Sequence, residues 1–245
     1  MIWRNWTLTK TAVWFIYWVD FTLFYYLWPR ILEILGFSMA KIWTYPDRFS
    51  KRACRLFGIE LKVHKMQALS VRNAIVVANH RSWMDQIVLV AALRGLNLRF
   101  MAKADYLKIP ILKQVMELYG FYFVRDGKLL EPDRERLISD LKNGASVVIY
   151  PEGTRGSGNQ LLPFKSGAFR LAQQTGVPVL PVFIIGTEGI LSKKNSLLSI
   201  HPGKVEVWIG APVCFQTSDA HQEFELEYRK KFESLVADHR EIQPS

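Results

Sequence analysis

Residues 74–85 read AIVVANHRSWMD, and the order of residue types in this stretch sets the fold. Five apolar residues without a polar break suit a strand buried on both faces, as in a parallel sheet. NHRS turns the chain, and WMDQIVLVAALRG (83–95) has the length and composition of a helix. Strand, polar turn and helix make the repeating unit of α/β proteins, whose ligands gather in the loops beyond the carboxyl ends of the strands.

The same alternation extends in both directions. IELKVH (59–64) alternates with period two and reads as a half-exposed strand. LRFMA (98–102), FYFV (121–124), VVIY (147–150), VLPVFII (179–185) and VEVWIG (205–210) are further strands, with helical segments between most of them. The best-bounded helix runs from Pro132 in the first turn to Asn143, with Gly144 ending it. Residues 58–245 are therefore expected to form one α/β domain, with a largely parallel or mixed central sheet flanked by helices. Three polar loops follow strands: NHRSWMD after AIVVA, RDG after FYFV, and PEGTRGSGN after VVIY.

The first of these loops carries a His-x4-Asp pair, His80 and Asp85. Histidine is the side chain best suited to accept a proton near neutral pH, and a carboxylate on its second nitrogen fixes the tautomer and stabilises the imidazolium. A histidine at a strand end and an aspartate in the first turn of the next helix could meet across the turn. Ser82-x-x-Asp85 also has the form of a capping box, and the two readings are compatible.

The N-terminal 57 residues differ in character. TAVWFIYWVDFTLFYYLW (11–28) is apolar apart from Asp20 and a few hydroxyls and ends at Pro29-Arg30, unlike a cleavable signal peptide. Eighteen residues make a helix of roughly 27 Å, marginal for a hydrocarbon core of about 30 Å. The second stretch, ILEILGFSMAKIWTY (31–45), is too short to span. Trp14, Tyr17, Trp18, Tyr25, Tyr26 and Trp28 favour the headgroup level, so a membrane-associated helix pair dipping into one leaflet is expected, with a single short span as the alternative. Arg48, Lys51, Arg52 and Arg55 follow at once, as suits an anionic cytoplasmic leaflet. These features suggest an anchored catalytic domain facing the cytoplasm, as at a bacterial inner membrane.

Over 245 residues the formal charge is +10, which attracts anionic partners of any kind. Nucleic acid is not expected among them, because the basic residues form no dense run with interleaved stacking aromatics. A non-catalytic membrane-binding or nucleic-acid-binding role ranks last for the same reason. Cys54 and Cys214 are the only cysteines, far apart and without metal-ligand spacing, so neither a disulfide framework nor a zinc site is indicated.

NHRSWMD (79–85), GFYFVR (120–125), YPEGTR (150–155) and VPVLP (177–181) resemble, in order and spacing, the four blocks of the 1-acylglycerol-3-phosphate acyltransferase family. KADYLKIP (103–110) is similar to the family's stretch between the first two blocks, and the likeness covers about residues 59–213. The resemblance implies that His80 is the general base and Asp85 its orienting partner. It implies that Arg125, flanked by Gly120 and Phe121, acts with Glu152, Gly153, Thr154 and Arg155 in binding the glycerophosphate, with Lys103 as a further phosphate ligand. Lys165, in PFKSGAF, is a weaker candidate near the site. VPVLP has no group for acid, base or nucleophilic chemistry and reads as structure or as a wall for an acyl chain.

The expected reaction is direct acyl transfer from a thioester, acyl-CoA or acyl carrier protein, to the hydroxyl of a lysophospholipid, without a bound cofactor or metal. Lysophosphatidic acid is the favoured acceptor, with a lyso-aminolipid or another lysophospholipid as alternatives. A route through Ser82 is less attractive because that serine is not in a G-x-S-x-G elbow. The sequence does not indicate an oligomeric state.

Overall fold

Seven of the eight strands of the computed structural model fall close to where the apolar runs placed them, and β5 is added to them, among residues 6–37, 45–66, 71–156, 160–192, 199–215 and 220–242, which the structure describes. In chain order they are β1 (Ile59–Lys65), β2 (Ile75–Ala78), β3 (Leu98–Lys103), β4 (Tyr122–Arg125), β5 (Lys128–Leu129), β6 (Ser146–Ile149), β7 (Val179–Ile185) and β8 (Gly203–Ile209). They form one sheet in the order β1-β8-β7-β2-β6-β3-β4-β5. Chain contacts group into two units, one of residues 1–62, 81–94 and 186–207 and the other of 63–80, 95–185 and 208–245.

The second unit contains the parallel heart of the sheet. β2 pairs in parallel with β6 (Val76 opposite Val148) and β7 (Val76 opposite Leu180), and β3 pairs in parallel with β6 and β4. The carboxyl ends of β7, β2, β6, β3 and β4 therefore share one edge. β2, buried along its whole length, is the continuous apolar strand that AIVVA predicts.

The turn after β4 is tighter than a ligand loop. Asp126 and Gly127 both have positive φ, 51° and 76°, and make a two-residue turn into antiparallel β5, with Arg125 opposite Lys128. An Asp-Gly pair meets that requirement cheaply.

Helices α5 (Pro110–Leu118), α6 (Glu131–Lys142), α7 (Gly167–Thr175) and α9 (Ala220–Ile242) belong to the same unit. Ile75, Val77, Val147, Val179 and Phe183 pack with Leu137 and Leu141 of α6, Phe169 of α7 and Phe224, Tyr228 and Phe232 of α9. Each fully buried side chain of this size contributes about 1.5–3 kcal/mol. On α6, Pro132 lies in the first turn beside Glu131 and Asp133, and Gly144 follows with φ 92°.

The first unit holds α1 (Trp6–Asp20), a π-helical stretch (Phe21–Leu27), α2 (Trp28–Ile34), α3 (Tyr45–Leu56), α4 (Met84–Ala92) and α8 (Thr187–Ile190). The first apolar run ends at Pro29-Arg30, but the helical path continues to Ile34. Pro29 sits in the first turn of α2, and the wider turn before it absorbs the change, Trp28 N–H donating to Leu23 O five residues back. The expected second helix, 31–45, ends at Ile34, and residues 38–44 lie outside the described segments.

One side of α1 packs on α3 and the residue after it, Tyr17 meeting Phe49 at 5.4 Å and Trp14 and Tyr17 each meeting Phe57 at 5.0 Å between ring centroids. Asp20, buried, pairs with Arg52 at 2.7 Å, which explains a carboxylate within so apolar a run. Burial, reinforced by Asp20, pushes the Tyr17 phenol above its ordinary range. Phe15, Ile16, Trp18, Leu23, Leu27, Trp28, Ile31 and Ile34 are exposed instead. Among the described residues, no helix is long and apolar enough to cross a membrane.

Candidate active site

At the end of β2 the backbone ladder is replaced by a side chain. Asn79 Nδ2 donates to Ile184 O and its Oδ1 accepts from Ile184 N–H, both at 2.8 Å, so the amide continues the pairing with β7. The Asn79 N–H donates to the Tyr228 hydroxyl at 2.9 Å, which itself donates to Val182 O. The chain thus leaves the sheet at a fixed point, and the next residue is His80.

His80 is held by the loop after β6. Its N–H donates to Glu152 Oε1 at 3.1 Å, and its carbonyl accepts from Gly156 N–H at 2.9 Å. Its imidazole lies on the Tyr150 ring, with centroids 4.0 Å apart and planes 13° from parallel. Glu152 is buried and also accepts from Leu162 N–H at 2.9 Å, so its carboxylate joins three stretches of chain.

Asp85, fully buried in the first turn of α4, is fixed by three donors. Oδ2 accepts from Arg81 N–H at 2.7 Å and Ser82 N–H at 2.9 Å, and Oδ1 accepts from the Thr187 hydroxyl at 2.6 Å. The Asp85 bond to Ser82 N–H is one half of the expected capping box, and the Ser82 hydroxyl accepts from Met84 N–H at 3.1 Å. That hydroxyl donates its one proton to Leu191 O at 2.7 Å, in a fully buried position.

The proposed phosphate ligands cluster at the carboxyl edge of the second unit. Lys103 and Arg125 end β3 and β4 and are exposed; Gly153, exposed with φ 69°, precedes exposed Thr154 and half-buried Arg155. Burial raises the Tyr106 phenol, and the positive charge of Arg155 opposes that rise. Lys165 reaches the same loop: its N–H donates to Pro151 O at 2.9 Å, and its ammonium would lie 2.8 Å from a Cβ on Gly153.

Gly120 has a different partner from Arg125. With φ 63°, it leaves room for Arg99, whose guanidinium would collide with a Cβ there. Val179 and Leu180 of VPVLP are fully buried in β7, and the Pro181 carbonyl accepts from Gly210 N–H at 2.9 Å. Among the described residues, no group of three His, Cys, Asp or Glu side chains is gathered as metal ligands would be.

Asn79 and Tyr150 fall within the quoted blocks, yet neither attracts a role in the sequence. The available signals are positional. Asn79 directly follows a buried strand, and Tyr150 is an aromatic directly following the strand paired with β2, where Val77 lies opposite Ile149.

A family model described as Acyltransferase matches residues 60–185, just over half of the chain. The chain is 32% identical over 174 residues to the 1-acyl-sn-glycerol-3-phosphate acyltransferase of Escherichia coli, the match covering 69% of each protein. It is 34% identical over 150 residues to the chloroplastic 1-acyl-sn-glycerol-3-phosphate acyltransferase BAT2 of Brassica napus, where the match covers 59% of this chain and 42% of that one. The chain therefore spans about two fifths of that chloroplast relative.

The crystal structure of the 1-acyl-sn-glycerophosphate (LPA) acyltransferase PlsC from Thermotoga maritima superposes with a TM-score of 0.75 at 29% identity, covering 100% of this chain and 99% of that one. The mixed sheet flanked by helices, the match across residues 60–185 and these relatives agree: this chain belongs to the 1-acylglycerol-3-phosphate acyltransferase family.

Proposed function

We propose that the protein transfers a fatty acyl group from a thioester, acyl-CoA or acyl carrier protein, to the free hydroxyl of lysophosphatidic acid, giving phosphatidic acid. His80 Nε2 takes the hydroxyl proton as the oxygen attacks the thioester carbonyl. Asp85, five residues further along, stabilises the imidazolium. The tetrahedral intermediate collapses with cleavage of the carbon–sulfur bond, and the departing thiolate recovers the proton from His80.

The observation that carries this reading is the shared edge. The strand that ends before His80 lies next to the one that ends at YPEGTR, and β3, ending at Lys103, is the strand beyond. Strands lie about 4.8 Å apart, so the loop of Arg155 starts about 5 Å from the His80 strand, Lys103 about 10 Å and Arg125 about 14 Å. A glycerophosphate hydroxyl at His80 puts its phosphate nearer Arg155 and Lys103 than Arg125. Arg supplies a planar fork of donors for phosphate oxygens and Lys a compact charge. Glu152 enters as the residue that holds the backbone of His80, since a carboxylate repels phosphate.

Direct transfer is favoured over an acyl-serine route by the Ser82 hydroxyl, which is buried and donates to Leu191 O. The exposed apolar side chains of α1 and α2 support placement at a lipid surface, where the acceptor resides. The test is purified protein offered lysophosphatidic acid and a panel of other lysolipids with either donor, followed by mass spectrometry of the lipids. Phosphatidic acid as the main product supports the reading, and acylation of another lysolipid in preference overturns the choice of acceptor.

A further inference from the structure

We infer that Tyr150 is a positioning residue for the transfer reaction, its ring serving as a π platform for the positive charge that His80 acquires. The inference rests on His80 being the proton acceptor. The centroids of the imidazole and phenol rings are 4.0 Å apart and the planes 13° from parallel, so the imidazole stacks on the face of Tyr150. An aromatic face carries partial negative charge and attracts a cation placed over it.

When His80 takes the hydroxyl proton, the imidazole becomes imidazolium against that face. When the thiolate recovers the proton, the charge is lost. The attraction is therefore stronger in the transition state than with neutral His80, which is the condition for accelerating the chemical step. Stacking also limits rotation of the imidazole about its Cβ–Cγ bond, while Glu152 and Gly156 fix the backbone of the same residue. The platform is itself fixed, because Tyr150 follows β6, the parallel neighbour of β2.

The property required is the π face rather than the hydroxyl. Tyr150→Phe should keep turnover within about twofold of the parent, and Tyr150→Leu should lower kcat about threefold to thirtyfold with KM for lysophosphatidic acid unchanged. Tyr150→Leu can also perturb packing, so the deciding series replaces Tyr150 by phenylalanine with none, one, two and three ring fluorines. Shape is nearly constant across that series while the negative charge of the face is progressively withdrawn.

With lysophosphatidic acid and an acyl-CoA as substrates, log kcat should fall steadily with fluorination and KM should stay level. A flat series, or a fall in kcat/KM carried by KM alone, overturns the inference. His80→Ala is measured alongside: an inactive His80→Ala with a flat series sinks only the role of Tyr150, whereas an active His80→Ala sinks the assignment of the base.

Discussion

Asp85 Oδ1 accepts a 2.6 Å hydrogen bond from the hydroxyl of Thr187, and both residues are fully buried. Asp85 lies near the start of α4 and Thr187 begins α8, more than a hundred residues later. If Asp85 orients and stabilises His80, then Thr187 limits the rotation of that carboxylate. Thr187→Val should lower kcat about tenfold and destabilise the fold by about 1–3 kcal/mol, because a buried carboxylate oxygen loses its donor. Thr187→Ser should recover most of both. Steady-state kinetics and urea unfolding would check this, and a Val variant with parental kcat would separate Thr187 from catalysis.

Glu152 is predicted to act through backbone geometry. Glu152→Ala removes acceptors from His80 N–H and Leu162 N–H together, so kcat should fall by at least tenfold with little change in KM for lysophosphatidic acid. Glu152→Gln keeps one oxygen and should be milder. A rise in KM alone would mean that Glu152 meets the substrate.

The order of cations along the sheet edge gives a graded expectation. Arg155→Ala and Lys103→Ala should raise KM for lysophosphatidic acid about ten- to a hundredfold, the value of a charge-assisted contact, and Arg125→Ala should raise it less. Monoacylglycerol, which lacks the phosphate, should be used poorly by the parent and be indifferent to all three changes. Equal losses on both acceptors would count against phosphate recognition.

Ser82→Ala should destabilise the loop, since its hydroxyl bonds both Leu191 O and Met84 N–H, yet retain substantial turnover. Mass spectrometry of the intact protein after incubation with an acyl-CoA should show no added acyl group. An inactive Ser82→Ala variant, together with an acyl-enzyme in the parent, would contradict direct transfer.

Alkaline pH offers a test of the core. Burial pushes the Cys54 thiol from an ordinary 9.0 up to about 11. The unfolded chain therefore releases this proton near pH 9 and the folded chain near pH 11, so the contribution is complete below pH 9 and lost as pH rises through that window. The loss reaches up to about 2–3 kcal/mol for a two-unit shift. Tyr17 and Tyr122, also raised chiefly by burial, act in the same direction at higher pH. Tm should fall between pH 8 and 10.5, and Cys54→Ala should flatten that fall. An unchanged slope in Cys54→Ala would show that the thiol does not carry the effect.

The sheet was legible because β2, β6 and β7 are buried on both faces and so read as unbroken apolar runs. β5, two residues long, carries too little pattern to read, although Asp126-Gly127 announces its turn. The division of the N-terminal segment into stretches 11–28 and 31–45 does not match its helices, because the π-helical turn before Pro29 carries the helical path on to Ile34. The site motifs supplied residue types but not their division of labour. That Glu152 would hold backbone, that Asn79 would substitute for a strand, and that Tyr150 would stack on His80 depend on pairings 70 to 149 residues apart in sequence.

Acyl transfer to a lysophospholipid hydroxyl through His80 and Asp85 requires both side chains. The most direct test is the rate of phosphatidic acid formation from lysophosphatidic acid and an acyl-CoA by the parent, His80→Ala and Asp85→Asn, each shown to be folded by circular dichroism. The parent should form product, and both variants should lose at least a thousandfold in rate. Turnover near the parental rate in a folded His80→Ala protein would contradict that requirement.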